Sequence, residues 1–279
     1  MVDKTKFMYA LKLELKLNNK EQSLLKRCAG FRRVVYNFGL DMVLGSWENK
    51  QIKLSDSKRI DAAKKLLTNE IMKQEEYKWM KKYPSTVYQS ALQDLKSAFS
   101  RWRKGLVKLP VHTSKKKGDR FTLYKTSVIY PEKGKPALPF TNRQILYPGK
   151  KITLPGLGTF RLKEAIPFIC SSQTFTVNRQ ANKWYVSFSI DAERVSPVIH
   201  EEEAVGIDLG VKTFATLSDG TTYEAPKPLK KARTKLAKVQ WRNRRKQVGN
   251  RKKGVRASKN AKKYFEKQAK IHTRAGWQK

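Results

Sequence analysis

The sequence is poor in acidic residues, cysteine and histidine, and it contains no long apolar run. Two cysteines, Cys28 and Cys170, are too few for a disulfide framework or a cysteine-based zinc site. No segment approaches the ~20 consecutive apolar residues of a membrane-spanning helix, and the opening MVDKTKFMYA lacks the apolar core of a secretory signal. We therefore expect a soluble, cytoplasmic protein with no membrane contact.

The scarcity of acid has the clearest functional meaning. The 279 residues include 61 Lys and Arg but only 23 Asp and Glu, a formal net charge of +38. Such self-repulsion destabilises a compact state unless a polyanion neutralises it, and nucleic acid is the usual partner. A hydrophobic content of 39%, with 10% aromatics, argues against a disordered tail. The length fits about two domains.

The positive charge is concentrated near the end of the chain. Residues 227–279 hold 21 basic residues and one acid, Glu266, a net +20, whereas the preceding 226 residues carry +18. Blocks of like charge are often disordered tails. Apolar positions instead recur here at helical spacing: Ala232, Leu236 and Val239 in a first segment, and Ala261, Phe265, Ala269 and His272 in a second. With Gly249 and Gly254 as turn signals between them, they predict a hairpin of two basic helices.

The front of the chain begins with a strand and continues with helices. Residues 9–17 alternate apolar and mostly charged side chains, which predicts a strand. Asn18 and Asn19 are both candidate N-caps, and Gln22, three residues after Asn19, resembles the second member of a capping box. A helix is expected to follow, with Cys28 buried in its apolar stripe. Further helices are predicted over 56–80 and 85–104, so that 19–104 form an all-helical unit.

Short β-rich runs follow residue 105. The clearest is a hairpin of 173–179 and 183–190, joined by a turn at 180–182. The opening strand has no β partner among the helices that follow it. We therefore predict that it joins these later strands in a small barrel of residues 1–18 and 105–198, with the helical unit inserted.

Cations cluster around the connector between the helices and the strands. They are Arg101, Arg103, Lys104, Lys115, Lys116, Lys117 and Arg120. A solvated loop would account for them, and so would contacts to phosphates, which supply most of the sequence-independent affinity for nucleic acid.

One segment suggests a chemical function. In AVGIDLGVKTFATLSDG, residues 204–220, an apolar strand ends at Asp208 and a second strand follows before the turn Ser218-Asp219-Gly220. Gly210 predicts space for a ligand or metal beside the backbone. An aspartate that ends a strand is often only a turn residue, so the wider pattern decides.

VGIDLGVKTFATLSDG resembles the first block of the RuvC nuclease domain in TnpB (OrfB-type) proteins. These are transposon-associated, RNA-guided DNA nucleases related to compact type V CRISPR nucleases. The resemblance extends over nearly the whole chain, because earlier blocks occur in the family's order: LLKRCAGFRRVVYNFGL, YPSTVYQSALQDLKSAFSRW, ITLPGLGTFRL and TFTVNRQANKWYVSFSI.

The resemblance implies an α+β multidomain fold. A wedge β-barrel would carry an inserted helical recognition lobe, residues 19–104, and would precede an incomplete RNase H-like (RuvC) α/β domain, residues 199–279. The expected partners are guide RNA and target DNA, and Gln89 falls where the family presents polar side chains to a short DNA motif.

The resemblance also places a catalytic site. Asp208 matches the family's first catalytic carboxylate, a ligand of Mg²⁺, and two such ions stabilise the attacking and leaving oxygens. The family's later glutamate, its zinc-holding CxxC pairs and its final aspartate have no counterparts here, and only Glu224 and Glu266 follow Asp219. The expectation is a C-terminally truncated copy, impaired in cleavage and without zinc.

Two other functions compete with this one. The chain could bind RNA or DNA without cutting, as a remnant or a repressor-like binder. IDLG also resembles the phosphate loop of actin-like ATPases, although such an enzyme has no use for the basic hairpin. Whether the chain is a nuclease or a non-catalytic binder, the hairpin is expected to supply further contacts to nucleic acid. The basic residues concerned are Arg242, Arg244, Arg245, Lys246, Arg251, Lys252 and Lys253.

Overall fold

The computed structural model describes residues 6–48, 54–115, 118–125, 143–193, 205–210, 213–224, 228–246, 248–250 and 253–274. The chain forms two compact units, Met1–Arg194 and Val195–Lys279, and it mixes helices with sheets. Within the described ranges, no helix is both long enough and apolar enough to cross a membrane.

In its described residues, the first unit contains three α-helices and eight strands. The helices are α1 (Asn19–Glu48), α2 (Asp56–Asn69) and α3 (Ser85–Arg103). The strands are β1 (Lys6–Lys16), β2 (Arg120–Tyr124), β3 (Gln144–Leu146), β4 (Gly149–Leu154), β5 (Gly158–Ile166), β6 (Cys170–Ser172), β7 (Thr174–Gln180) and β8 (Lys183–Glu193).

Helix α1 begins with a capping box at Asn18, the first of the two predicted N-caps. The Asn18 side chain accepts a hydrogen bond from the Glu21 amide at 2.9 Å, and the Glu21 carboxylate accepts one from the Asn18 amide at 2.8 Å. The two orphan amides are thus satisfied reciprocally. The prediction of Asn19 and Gln22 was wrong because Glu21, an acceptor at the right spacing, completes the box from Asn18.

The single helix predicted over 56–80 is also wrong. Helix α2 ends at Asn69, and two 3₁₀ helices follow, Ile71–Lys73 and Glu75–Lys82. A 3₁₀ helix has three residues per turn, which puts Tyr77 and Met80 on one face. Met80 is buried there and Tyr77 packs against the same core.

The opening strand pairs with the later strands, which confirms that prediction. The sheet order is β2-β7-β8-β1-β5-β4, with all neighbours antiparallel, and β1 lies between β8 and β5. The predicted hairpin is β7 and β8, with Phe175 opposite Phe188 and the turn at Ala181 in the left-handed region, φ 53°. Among the described strands, β2 and β4 are the sheet edges and β3 pairs separately with β6.

Helices and sheet share one buried core. Alternate residues of the sheet are buried, among them Leu13, Phe121 and Trp184, and they belong to the same cluster as Phe31 and Phe99 of the helices. Helix α3 is fastened to β2, because the Ser90 hydroxyl donates to the Thr122 carbonyl at 2.9 Å. Cys28 is fully buried in this core, as predicted.

The part of the second unit that the structure describes contains a small sheet and two helices. Strands β9 (Ile207–Asp208), β10 (Thr213–Leu217) and β11 (Thr222–Glu224) form an antiparallel sheet in the order β11-β10-β9. The predicted turn joins β10 to β11, with Gly220 at φ 85°. Helices α4 (Pro228–Arg242) and α5 (Lys259–Arg274) contact each other, which confirms the predicted hairpin of basic helices.

The two helices of the hairpin differ in how well their apolar faces were predicted. On α4, Ala232, Leu236 and Val239 are half-buried, as expected. On α5, Ala261 and Ile271 are buried while Phe265 is 42% exposed, so the buried face includes Ile271 and excludes Phe265. Phe265 instead lies against Tyr264, with ring centroids 5.4 Å apart.

Candidate nucleic-acid interface

Asp208 lies on an edge strand of the small sheet. It ends β9 and is in register with Thr216 of β10, and its side chain is exposed. The strand is held at its start by two bonds between Gly206 and Ser218: the Ser218 amide donates to the Gly206 carbonyl at 2.9 Å, and the Gly206 amide donates to the Ser218 hydroxyl at 3.1 Å. The backbone therefore presents this carboxylate to solvent at the sheet edge.

Gly210 has a structural role in the loop after β9. A Cβ at this position would lie 2.8 Å from the carbonyl oxygen of Thr213, closer than real Cβ contacts. The Gly210 amide donates to the Phe214 carbonyl at 3.3 Å, which holds the loop against β10. The space predicted for a ligand or metal is thus occupied by the chain's own backbone.

The carboxylates described near Asp208 do not complete a metal site. Asp219 is a turn residue: its side chain accepts from the Thr221 amide at 2.8 Å, and that bond holds the pKa of Asp219 below its ordinary value. Glu224 is exposed at the end of β11. In the part of the chain that the structure describes, no three His, Cys, Asp or Glu side chains converge. The described residues therefore do not fit a Mg²⁺ centre, which needs several oxygen ligands.

Exposed cations surround the end of helix α4. The predicted residues with described positions are Arg242, Arg244, Arg245, Lys246 and Lys253, and all are exposed, whereas Arg251 and Lys252 lie outside the described residues. Trp241 is 65% exposed, and the Arg244 guanidinium lies 4.2 Å from its ring centroid. Cation and aromatic ring together form a surface suited to nucleic acid, since bases stack on aromatic side chains.

A shallow groove along α4 extends this basic surface. It is lined by Lys230, Lys231, Thr234, Lys235 and Lys238. These lysines and Trp241 were not singled out from the sequence. The signal was available, because positions 231, 235 and 238 recur at helical spacing beside the apolar seam of Ala232, Leu236 and Val239.

The predicted cations of the first unit fall into two groups. Arg101, Lys104, Lys115 and Arg120 are exposed. Arg103 is engaged within the chain: its Nε donates to Asp56 at 2.8 Å, and its guanidinium lies 4.5 Å from the Trp102 ring centroid. Burial favours a raised pKa for Asp56, but hydrogen bonds from Arg103 and Trp47 outweigh it and hold that pKa below its ordinary value.

Two further predicted positions differ in what the structure shows. Gln89 lies on α3, half-buried, and its side-chain oxygen accepts a hydrogen bond from the Tyr124 hydroxyl. This contact orients the amide of Gln89 towards the sheet. Lys116 and Lys117 lie outside the described residues.

A second basic surface, missed in the sequence, lies on the six-stranded sheet. A cleft of about 540 Å³ is bordered by Lys16, Lys150, Lys151 and Arg161, together with β3 and Tyr147. No sequence motif marks it, because its cations come from the consecutive strands β4 and β5 and from β1, which is more than 130 residues away in the chain.

Two family models match the chain. Residues 187–275 match OrfB_IS605, described as a probable transposase, and residues 8–51 match the helix-turn-helix domain of the same family. In the structure, the latter residues form strand β1 followed by the single long helix α1.

Two curated relatives match most of the chain. "Putative RNA-guided DNA endonuclease InsQ" of Escherichia coli (strain K12) is 28% identical over 84% of the chain and 53% of the relative. "Putative RNA-guided DNA endonuclease" of Streptomyces pristinaespiralis is 28% identical over 95% of the chain and 60% of the relative. The chain thus spans little more than half the length of the curated relatives it matches.

Among solved structures, a complex of Cas12f1 with single-guide RNA and target DNA matches at 11% identity and a TM-score of 0.40. That match covers 98% of this chain and 75% of the other. The family matches lie on the two segments that carry the opening strand and helix and the Asp208 motif. On these matches, the chain is similar to the TnpB/OrfB-type proteins.

Proposed function

We propose that this chain binds guide RNA and target DNA as a member of the RNA-guided DNA endonuclease family. The observation that carries the proposal is the exposed basic face of α4, on which Lys231, Lys235 and Lys238 lie in a row that leads to Trp241. Cations on one helical face neutralise successive phosphates, and an exposed aromatic ring accepts a stacked base.

The remaining exposed cations extend the same function. Arg101, Lys104, Lys115 and Arg120 would contact phosphates from the first unit, and Arg242, Arg244, Arg245, Lys246 and Lys253 from the second. Arg103 would contribute less, because Asp56 already neutralises it at 2.8 Å. Lys116, Lys117, Arg251 and Lys252 are included on the sequence pattern alone.

We assign family roles to the parts of the fold on the same basis. The six-stranded sheet would be the wedge domain, residues 19–104 the recognition lobe with Gln89 facing a DNA motif, and residues 199–279 the RNase H-like part. The antiparallel sheet β9–β11, with Asp208 on its first strand, supports the last assignment.

Cleavage would be impaired in this chain, because Asp208 is the one carboxylate that matches the family's catalytic set and the described residues around it do not complete a Mg²⁺ site. The support is that no three His, Cys, Asp or Glu side chains among the described residues form a group that could hold a metal ion. The alternative, a binder that cuts nothing, shares every contact of the proposal except the role of Asp208.

The test begins with the RNA that copurifies with the full chain. That RNA is sequenced, and binding of a labelled copy is measured between 50 and 200 mM salt, where a protein with six to ten phosphate contacts loses about 10³–10⁵ in affinity. Affinity independent of salt would refute the proposal. A plasmid carrying the matching sequence is then incubated with the complex and Mg²⁺. Full cleavage that survives Asp208→Ala would refute the site, and no cleavage by either protein would favour the non-catalytic binder.

A further inference from the structure

Three cations stand side by side across three strands of the large sheet. Lys16 of β1 is in direct register with Arg161 of β5, and Arg161 is in direct register with Lys151 of β4. Residues directly opposite in an antiparallel pair project from the same face, and neighbouring strands are about 4.8 Å apart. The three positive side chains therefore form one row perpendicular to the strands.

This row is unfavourable in the isolated protein. Like charges directly opposite each other destabilise a strand pair, and here two such pairs share Arg161. None of the three forms an ion pair with a carboxylate among the described residues. An anion bound along the row would remove the repulsion.

Other cations on the same face of the sheet are neutralised by a carboxylate. Glu14 lies two residues before Lys16 on β1, and it accepts hydrogen bonds from Lys183 at 2.6 Å and from Lys163 at 3.5 Å. Lys163 lies two residues from Arg161 on β5, so the two side chains project from the same face. The sheet thus supplies a carboxylate for one set of cations and leaves the adjacent row without one.

The row borders the cleft described above, which also has an apolar wall. Tyr147 and Ile145 line the cleft and are 66% and 56% exposed. Phe168 and Ile169, both exposed, directly precede β6, the partner of β3. Lys150 adds a fourth cation where the β4–β5 ladder is irregular, between Gly149 and Lys151.

We propose that this cleft binds an unpaired stretch of RNA, with its phosphates along Lys16, Arg161 and Lys151 and one base stacked on Tyr147. The inference rests on the proposed function, since it assigns one place on the protein to an RNA partner. Stacking requires a base whose face is free, so the strand is single. Gln144 also lines the cleft. Its side-chain nitrogen donates to the Thr153 carbonyl at 2.7 Å, and its side-chain oxygen can accept a hydrogen bond from a ribose 2′-hydroxyl, which favours RNA over DNA.

The experiment uses the full chain and a 12-nucleotide single-stranded RNA of mixed sequence containing 2-aminopurine, whose fluorescence falls on stacking. Tyr147→Ala is expected to weaken binding about tenfold and to remove the quenching, with the salt slope unchanged. Tyr147→Phe keeps the ring and should retain both. Arg161→Gln is expected to lower the salt slope by about 0.7 while the melting temperature of the free protein stays or rises, because two like-charge contacts are lost.

Lys163→Gln is the matched control, since it removes a cation from the same strand and face that Glu14 already neutralises. It should keep affinity within about twofold. The inference is overturned if Tyr147→Ala and Arg161→Gln bind as wild type does while the chain still binds RNA with a steep salt slope, and the proposed function then stands. A single-stranded DNA of the same sequence that binds and is quenched as strongly as the RNA would also overturn it. So would duplex RNA that competes as well as single-stranded RNA does. Loss of all salt-dependent binding in the wild-type chain would refute the proposed function as well.

Discussion

Arg33 of helix α1 donates a hydrogen bond to Asp119 at 2.8 Å, and this ion pair joins the helices to the sheet. Both side chains are nearly buried, 13% and 10% exposed. Asp119 directly precedes β2 and also accepts from Arg179 of β7, once through its side chain at 3.3 Å and once through its carbonyl at 2.8 Å. One carboxylate thus connects a helix and two neighbouring strands.

Replacing Asp119 with alanine should destabilise the first unit strongly. The change leaves two largely buried guanidinium groups without their carboxylate, and breaking a buried pair from one side costs about 3–5 kcal/mol. Urea denaturation of the full chain measures the loss. Asp61→Ala is the control, because its bond to Lys96 is much more exposed and should be worth less than about 1 kcal/mol. Equal losses for the two variants would contradict the role assigned to Asp119.

Two glycines of helix α1 should respond to alanine in opposite directions. A Cβ on Gly39 would lie 2.8 Å from Leu92 and 3.0 Å from Leu95 of α3, whereas a Cβ on Gly45 meets nothing within 4 Å. Gly39→Ala should therefore cost about 1–3 kcal/mol through overpacking. Gly45→Ala should gain about 0.5–1 kcal/mol, since alanine is the better helix former. Thermal melts of the two variants decide this, and a stabilised Gly39→Ala would show that α1 and α3 are less closely packed.

Acid should remove a contribution of Glu14 to stability. Burial favours a raised pKa for Glu14, but hydrogen bonds and charge from Lys183 and Lys163 outweigh it and the pKa lies below its ordinary value of 4.5. A carboxyl whose pKa is lowered by folding stabilises the protein above its unfolded pKa, and the contribution is lost as pH falls through the folded pKa. Glu14→Gln should therefore be less stable than wild type at pH 7, and the difference should vanish in acid.

Denaturation curves at a series of pH values test this, with Glu164→Gln as the control. Glu164 is an exposed acid on β5, with no ion pair to a described residue. A difference between wild type and Glu14→Gln that persists unchanged below pH 3 would show that packing, and not charge, accounts for it.

The lysines of α4 should contribute to nucleic-acid binding without affecting stability. Lys235 and Lys238 are exposed in the groove of that helix. The double change to glutamine should lower the salt slope of single-stranded RNA binding by about 1.4, two phosphate contacts at about 0.7 each. The matched control replaces Lys64 and Lys65, two exposed lysines of α2. Binding is followed by fluorescence anisotropy, and an equal effect of both pairs would mean that only net charge matters.

Local patterns predicted the elements whose contacts are close in the sequence. The alternation in 173–190 predicted the β7–β8 hairpin with its buried Phe175 and Trp184. Both strands show the two-residue period in the local sequence, and a single short turn joins them. Helices α4 and α5 were predicted from apolar spacing and from Gly249 and Gly254, which adopt φ 83° and 67°. The errors lie where two adjacent residues could make the same hydrogen bond. Glu21 and Gln22 are adjacent, and only the folded first turn of the helix decides which side chain completes the capping box.

The candidate site was predictable only in part for the same reason. Asp208 could be singled out because an apolar strand and a familiar block of residues surround it. The row of Lys16, Arg161 and Lys151 could not, since a shift of one residue in register would place Arg161 on the opposite face. That register depends on how β1 and β5 pack into a core that α1 and α3 also share.

The sequence by itself determined that this protein is strongly basic, that it has helices followed by strands, and that Asp208 ends a strand, because composition and periodicity are local properties. The tertiary structure alone decided which charges are neutralised. Arg33, Arg103 and Lys163 meet carboxylates distant in the chain, whereas Lys16, Arg161 and Lys151 meet one another. Coulomb energy depends on distance in space, and only the folded chain sets those distances.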